Sequence, residues 1–168
     1  MFAKLRVLFY FLCIFFISTV STHANTLPHF QMADQYGKQY NHTSIKGKPV
    51  VFLGCEIRDV ELCRKIGRKI YWKMQNLLWK DADKIAFLSY LNLKETNQLV
   101  EKYIEESKSK QFEAVLLDRK GELIQGLEPE KAFLRIFDRK GKEIHREYLE
   151  TADDEKVKEL YVILKTVL

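Results

Sequence analysis

Apolar positions along the chain follow two rhythms. Pro49-Val-Val-Phe-Leu53 is a short continuous apolar run, the mark of a strand buried on both faces, while Ile85–Leu91 reads as a second buried strand and Ala114–Leu117 as a third strand. Gly47 and Gly54 bound the first. After it, Val60, Cys63, Ile66, Ile70, Met74 and Leu77 recur at spacings of three and four and draw one apolar stripe. That stripe predicts a helix over Asp59–Lys80, with Asp59 as its N-cap. Asn92 with Glu95 three residues on resembles a capping box and predicts a helix over Leu93–Ser107. Ala132–Phe137 and Glu143–Tyr148 read as strands joined by a hairpin at Asp138-Arg-Lys-Gly141. Thr151 and Asp154 open a last helix whose stripe is Val157, Leu160, Tyr161, Leu164 and Leu168. Leu27–Tyr40 reads as an extended segment with a type I turn at Asp34–Gly37, and Ser44–Lys48 as a second turn.

Strands separated by helices require right-handed crossovers and a parallel portion of sheet, and the closing hairpin makes the sheet mixed. The fold class is therefore α/β, a three-layer sandwich with a mixed central sheet and flanking helices. Asp118-Arg-Lys-Gly121 recurs at Asp138-Arg-Lys-Gly141. Twenty residues are too few for a stacked α/β repeat, so this is reused turn chemistry.

The N-terminus is different. Lys4 and Arg6 precede an apolar run from Val7 to Val20, and Ser21, Thr22 and Ala24 follow it. That order describes a secretory signal peptide over residues 1–24, cleaved after Ala24 and leaving a domain over 25–168. The alternative is an uncleaved tether through residues 7–20, although the run is short for a bilayer. Cleavage removes two basic residues and no acidic ones, so a net charge of +5 becomes +3. Nearly balanced charge gives no call for a nucleic-acid partner, and nothing beyond the N-terminal segment points to a membrane. Cleavage also removes Cys13, leaving Cys55 and Cys63. An even count in an oxidising compartment permits a disulfide.

The order of elements, with these residues, resembles the redoxin, peroxiredoxin-like branch of the thioredoxin-like superfamily. Phe30-x-Met32-x-Asp34-x-x-Gly37 is similar to that branch's opening, and Ile45-x-Gly47-Lys48-Pro49-Val50-Val51-Phe52 to its lead into the first core strand. Val115-Leu-Leu-Asp118-x-x-Gly121 and Ile136-Phe-Asp138-x-x-Gly141 are similar to its two later turns. The resemblance covers residues 27–168.

It implies thiol chemistry with an altered site. Cys-x-x-Cys is absent, because seven residues separate Cys55 from Cys63. Cys63 falls thirteen residues after Val50, where peroxiredoxins place the peroxide-attacking cysteine. The proline and threonine that shield it there are Glu56 and Val60 here. Copper-delivering relatives carry Cys-x-x-x-Cys, and Asp59 stands at the first of those positions. The proline expected before the late strand aligns with Ala132, with Pro129 three residues too early.

Cys63 and Cys55 are the candidate catalytic residues. Early in a helix, beside Arg64 and Lys65, Cys63 meets conditions that lower a thiol pKa. It also lies on the apolar stripe, where cysteine packs as a small hydrophobe. In this fold the strand end and the helix start lie close, so a Cys55–Cys63 bond would be either a staple or a reversible couple with Cys63 attacking and Cys55 resolving. The implied partner is a protein thiol or disulfide. Thiol–disulfide exchange and peroxide reduction are the two reactions expected, and a non-catalytic binding or stabilising module is the alternative. No cofactor is implied. His29, His42 and His145 lack ligand spacing, so no metal site is expected either.

Overall fold

The structure is a computed structural model that describes residues 26–110 and 112–168. The signal segment 1–24 and Cys13 lie outside the described residues. The order is β1 (Gln31–Ala33), β2 (Gln39–Asn41), β3 (Val50–Glu56), α1 (Val60–Leu78), β4 (Ala86–Asn92), α2 (Gln98–Ser109), β5 (Val115–Asp118), β6 (Ala132–Phe137), β7 (Glu143–Leu149) and α3 (Asp154–Lys165). Strands β5-β4-β3-β6-β7 form one mixed sheet. Within it β3, β4 and β5 are parallel, while β6 and β7 run antiparallel to their neighbours. This is the α/β architecture that the hydrophobic pattern predicts.

The central strand β3 is buried on both faces, as its unbroken apolar run requires. Val51, Leu53 and Cys55 pack with Cys63, Ile66, Ile70 and Met74 of α1, Ile104 of α2, and Val157, Leu160 and Leu164 of α3. Val50 and Phe52 face the other way, onto Phe30, Met32, Ile45, Tyr90, Leu123 and Phe137. The α-helices thus share one face of the sheet. The β1–β2 hairpin and the segment after β5 cover the opposite face.

Three local expectations shift. Strand β3 does not stop at Gly54 but continues to Glu56, in register with β4 as far as Asn92. Asn92 is therefore a strand residue rather than a helix cap, and α2 starts later. Its N-cap is Asn97, whose Oδ1 accepts from the N–H groups of Leu99 and Val100. Asp59 occupies the N-cap position of α1 but makes no capping bond there. The last helix is capped by Asp153, whose Oδ1 accepts from Lys156 N.

The two Asp-Arg-Lys-Gly turns share their chemistry, as the sequence suggests. Asp138 Oδ1 accepts from Lys140 N and Lys142 N, both at 2.9 Å, at the surface. Asp118 is 1% exposed and accepts from Gly121 N, Glu122 N and Leu123 N at 2.7–2.9 Å. Both carboxylates are thus committed to turns rather than to acid–base work. Asp118→Ala would leave all three donors without this acceptor, the buried Leu123 N–H out of reach of solvent. It is expected to cost about 3 kcal/mol, against about 1 kcal/mol or less for Asp138→Ala, read by urea denaturation.

Tyr90 marks an unusual spot on the face away from the helices. It is fully buried, and neither its hydroxyl nor Nε and Nη2 of nearby Arg135 has a hydrogen-bond partner among the described residues. Burial pushes the phenol up to about 12, outweighing the lowering effect of Arg135. The raised value means that folded protein keeps the proton while unfolded chain loses it near its ordinary pKa of about 10. This contribution to stability is present below pH ~10 and lost as pH rises from there toward 12. Tyr90→Phe is expected to be neutral or stabilising by up to ~1 kcal/mol at pH 7. Its advantage over wild type should widen by roughly 1 kcal/mol at pH 11, measured by denaturation at both pH values.

Candidate functional site

Strand β3 and helix α1 are joined by a single 3-10 turn, Ile57–Asp59. That short connection returns the chain onto the sheet immediately. Cys55 near the C-terminal end of β3 then meets Cys63, the fourth residue of α1. The two are disulfide-bonded, with Cα atoms 6.1 Å apart. Both belong to the core on the helix side, Cys55 at 0% and Cys63 at 5% exposure. The structure therefore brings together the two residues singled out in the sequence. The bond closes a short loop and stabilises the fold by about 2–3 kcal/mol through chain entropy.

The surroundings were less legible. Arg64, expected to lend charge to Cys63, is turned elsewhere. Its guanidinium pairs with Glu61 and lies 4.0 Å over the Phe112 ring. Glu61 also accepts from the Tyr103 hydroxyl at 3.1 Å, so α2 is tied to the first turn of α1. Burial, reinforced by Glu61, raises the Tyr103 phenol. Lys65 is exposed. On the strand side, Asn92 Nδ2 donates to both carboxylate oxygens of Glu56 at 3.0 and 3.2 Å, clasping the ends of β3 and β4.

Asp59 serves the site differently from a cap. Its Oδ2 accepts from Glu130 N at 3.0 Å, across 71 positions of chain. Glu130 has φ +62°, a left-handed conformation that costs a non-glycine residue about 1–2 kcal/mol. The bond holds the segment before β6 against the start of α1. Ala132, at the position of the expected proline, opens β6 and is fully buried. No sequence spacing pointed to the Asp59–Glu130 link or the Glu56–Asn92 clasp, because both partners of each meet only through the sheet order.

Arginine and carboxylate pairs surround the helix face. Arg68 grips Glu113 with two bonds of 2.7 and 2.8 Å, which holds the Glu113 carboxyl below its usual range. Asp154 bridges Lys69 and Lys73 at 3.4 Å. The basic face read from the sequence is thus partly neutralised by acidic residues from other elements. Among the described residues no cluster of three or more His, Cys, Asp or Glu side chains is placed to hold a metal ion. Among the same residues no helix is long and apolar enough to cross a membrane.

No family model matches the sequence, and no curated protein matches it either. Solved structures do match. The pneumococcal exposed lipoprotein thioredoxin Etrx1 from Streptococcus pneumoniae superposes with a TM-score of 0.60 at 17% identity, over 82% of this chain and 98% of that one. A thiol:disulfide interchange protein of the thioredoxin family from Chlorobium tepidum gives 0.55 at 12% identity, over 86% and 96%. The thioredoxin domain of a thiol-disulfide oxidoreductase from Bacteroides vulgatus gives 0.53 at 16% identity, over 84% and 96%. At these identities the likeness is one of architecture, and the chain has the thioredoxin-like fold.

Proposed function

We propose that the protein is an exported thioredoxin-like protein whose Cys55–Cys63 pair performs thiol–disulfide exchange. The observation that carries this reading is the place of the bond. It joins the C-terminal end of the central strand to the first turns of the following helix. Strand ends of this kind form the reactive edge of open α/β sheets. In the reduced protein the helix N-terminus favours the Cys63 thiolate. That thiolate attacks one sulfur of a partner disulfide, forming a mixed disulfide and releasing a partner thiolate. Cys55 then attacks the Cys63 sulfur, which restores the internal bond and releases the second partner thiol. The partner gains two electrons and two protons, and an external dithiol returns them to the pair. Both sulfurs are buried, so each turnover passes through a local opening at the start of α1.

Peroxide reduction would use the same thiolate, with a sulfenic acid that Cys55 condenses to the disulfide with loss of water. Glu56 and Val60 replace the residues that orient a thiolate for that reaction, which favours exchange. A second reading rests on the burial itself: a bond at 0% and 5% exposure also suits a staple in a non-catalytic binding module.

One measurement separates the two. Thiols are alkylated under native conditions, with and without a dithiol reductant, and counted by mass. Exchange predicts two free thiols after native reduction and turnover of a disulfide substrate. A staple predicts labelling only after denaturation. Export predicts a mature N-terminus at Asn25, read by N-terminal sequencing; an intact leader would mean a tether through residues 7–20.

A further inference from the structure

A cavity of about 460 Å³ lies between residues Val60 to Trp72 of α1, strands β4 and β5, and helix α2. That volume is within the range of small-molecule sites, ~300–1,000 Å³. Its walls are mostly apolar, with Leu53, Ile70, Phe87, Leu91, Ile104 and Val115 among them. Ser89, Ser107 and Tyr103 are among the hydroxyl-bearing residues of the lining. Apolar pockets of this kind take up apolar ligands because the buried hydrocarbon leaves water.

Charge at the cavity is uneven. Arg64 and Arg68 line it against the single carboxylate of Glu113, which Arg68 already holds in a two-bond grip. The Arg64 guanidinium lies over Phe112, and its own partner Glu61 is mostly exposed. Lys65, Lys69 and Lys73 line the adjoining surface groove with Glu61, and Asp154 bridges the last two lysines, which leaves Lys65 as the added positive charge. An anionic group at this edge gains charge-assisted bonds, and an apolar tail gains the interior.

We propose that this cavity binds a medium-chain fatty acid, with the alkyl chain among Phe87, Ile104 and Val115 and the carboxylate on Arg64. Cys63 also lines this cavity, but binding makes and breaks no bond, so titration with the disulfide intact tests the site apart from the exchange reading.

The experiment is calorimetric titration of the mature protein with decanoate and, separately, with decanol. Decanoate is expected to bind, and decanol at least about tenfold more weakly. Arg64→Gln, a change at a partly exposed side chain, should weaken decanoate about tenfold and leave decanol unchanged, which corresponds to ~1.4 kcal/mol for one charge-assisted contact. Val115→Phe, which places a ring in the cavity, should remove binding of both; a thermal melt confirms that each variant folds. Absence of decanoate binding below its micelle concentration would overturn the proposal. Equal affinity for the alcohol, or an Arg64→Gln variant that binds decanoate like wild type, would overturn it as well.

Discussion

Cys63→Ser is expected to abolish disulfide turnover and to lower the melting temperature by about 5–10 °C. The stability part follows from the broken loop, worth ~2–3 kcal/mol, and from a serine hydroxyl left among Ile66, Val60 and Leu53 in an apolar core. The activity part follows from the assigned roles. Without Cys63 there is no attacking thiolate, and Cys55, buried at the strand end, has no helix N-terminus to favour its ionised form. Cys55→Ser separates the two effects. It breaks the same bond, so the stability loss should be similar. Yet Cys63 remains able to attack, and the mixed disulfide cannot resolve. A partner-linked species should then accumulate, seen as a mass increase that reductant reverses. If both variants merely lose stability and neither traps a partner, the bond is a staple and the exchange reading fails.

Gly54→Ala should destabilise the fold by about 3 kcal/mol or more, although it adds one methyl group. Gly54 is paired with Tyr90 on the neighbouring strand, and a Cβ at Gly54 would land on the Tyr90 ring. Tyr90 is completely buried and lies edge-to-face against Phe52, so the ring has no room to retreat. Overpacking usually costs about 1–3 kcal/mol, and a backbone-mounted methyl that meets several ring atoms belongs at the upper end. A domain of this size is stable by only ~5–15 kcal/mol, so the change should be obvious in chemical denaturation. Tyr90→Leu should relieve it, and the double variant should be more stable than the sum of the single effects predicts. A loss under ~1 kcal/mol for Gly54→Ala would mean that the ring moves freely.

Gly54 also shows how far sequence reasoning reaches. A glycine after an apolar run reads as a strand boundary, because glycine usually punctuates structure. Here it sits inside the strand, and its lack of a side chain is required by a tyrosine 36 positions later. Asn92 is the same case in reverse. Its spacing to Glu95 mimics a helix cap, but pairing with β3 keeps it extended and its side chain goes to Glu56. In both places a local signal lost to a neighbour that only the sheet brings near. The stripe of α1, by contrast, survives through Cys63, Ile66, Ile70 and Met74, since a helix carries its own periodicity wherever it packs, and only its end shifts, with Leu78 buried and the expected Leu77 exposed.

By itself the sequence determined the alternation of strands and helices, the mixed sheet and the shared turn chemistry of Asp118 and Asp138, and it singled out Cys55 and Cys63 as the candidate pair. These rest on periodicity, turn residues and short spacings, all of which act within about one turn or one strand of chain. Only the tertiary structure decided that both sulfurs are buried, that the Arg64 guanidinium lies over the Phe112 ring, and that Asp59 holds Glu130. It also decided that a cavity opens beside α1. These depend on which distant segments the sheet order makes neighbours, and long-range contact is the one quantity that a local pattern does not encode.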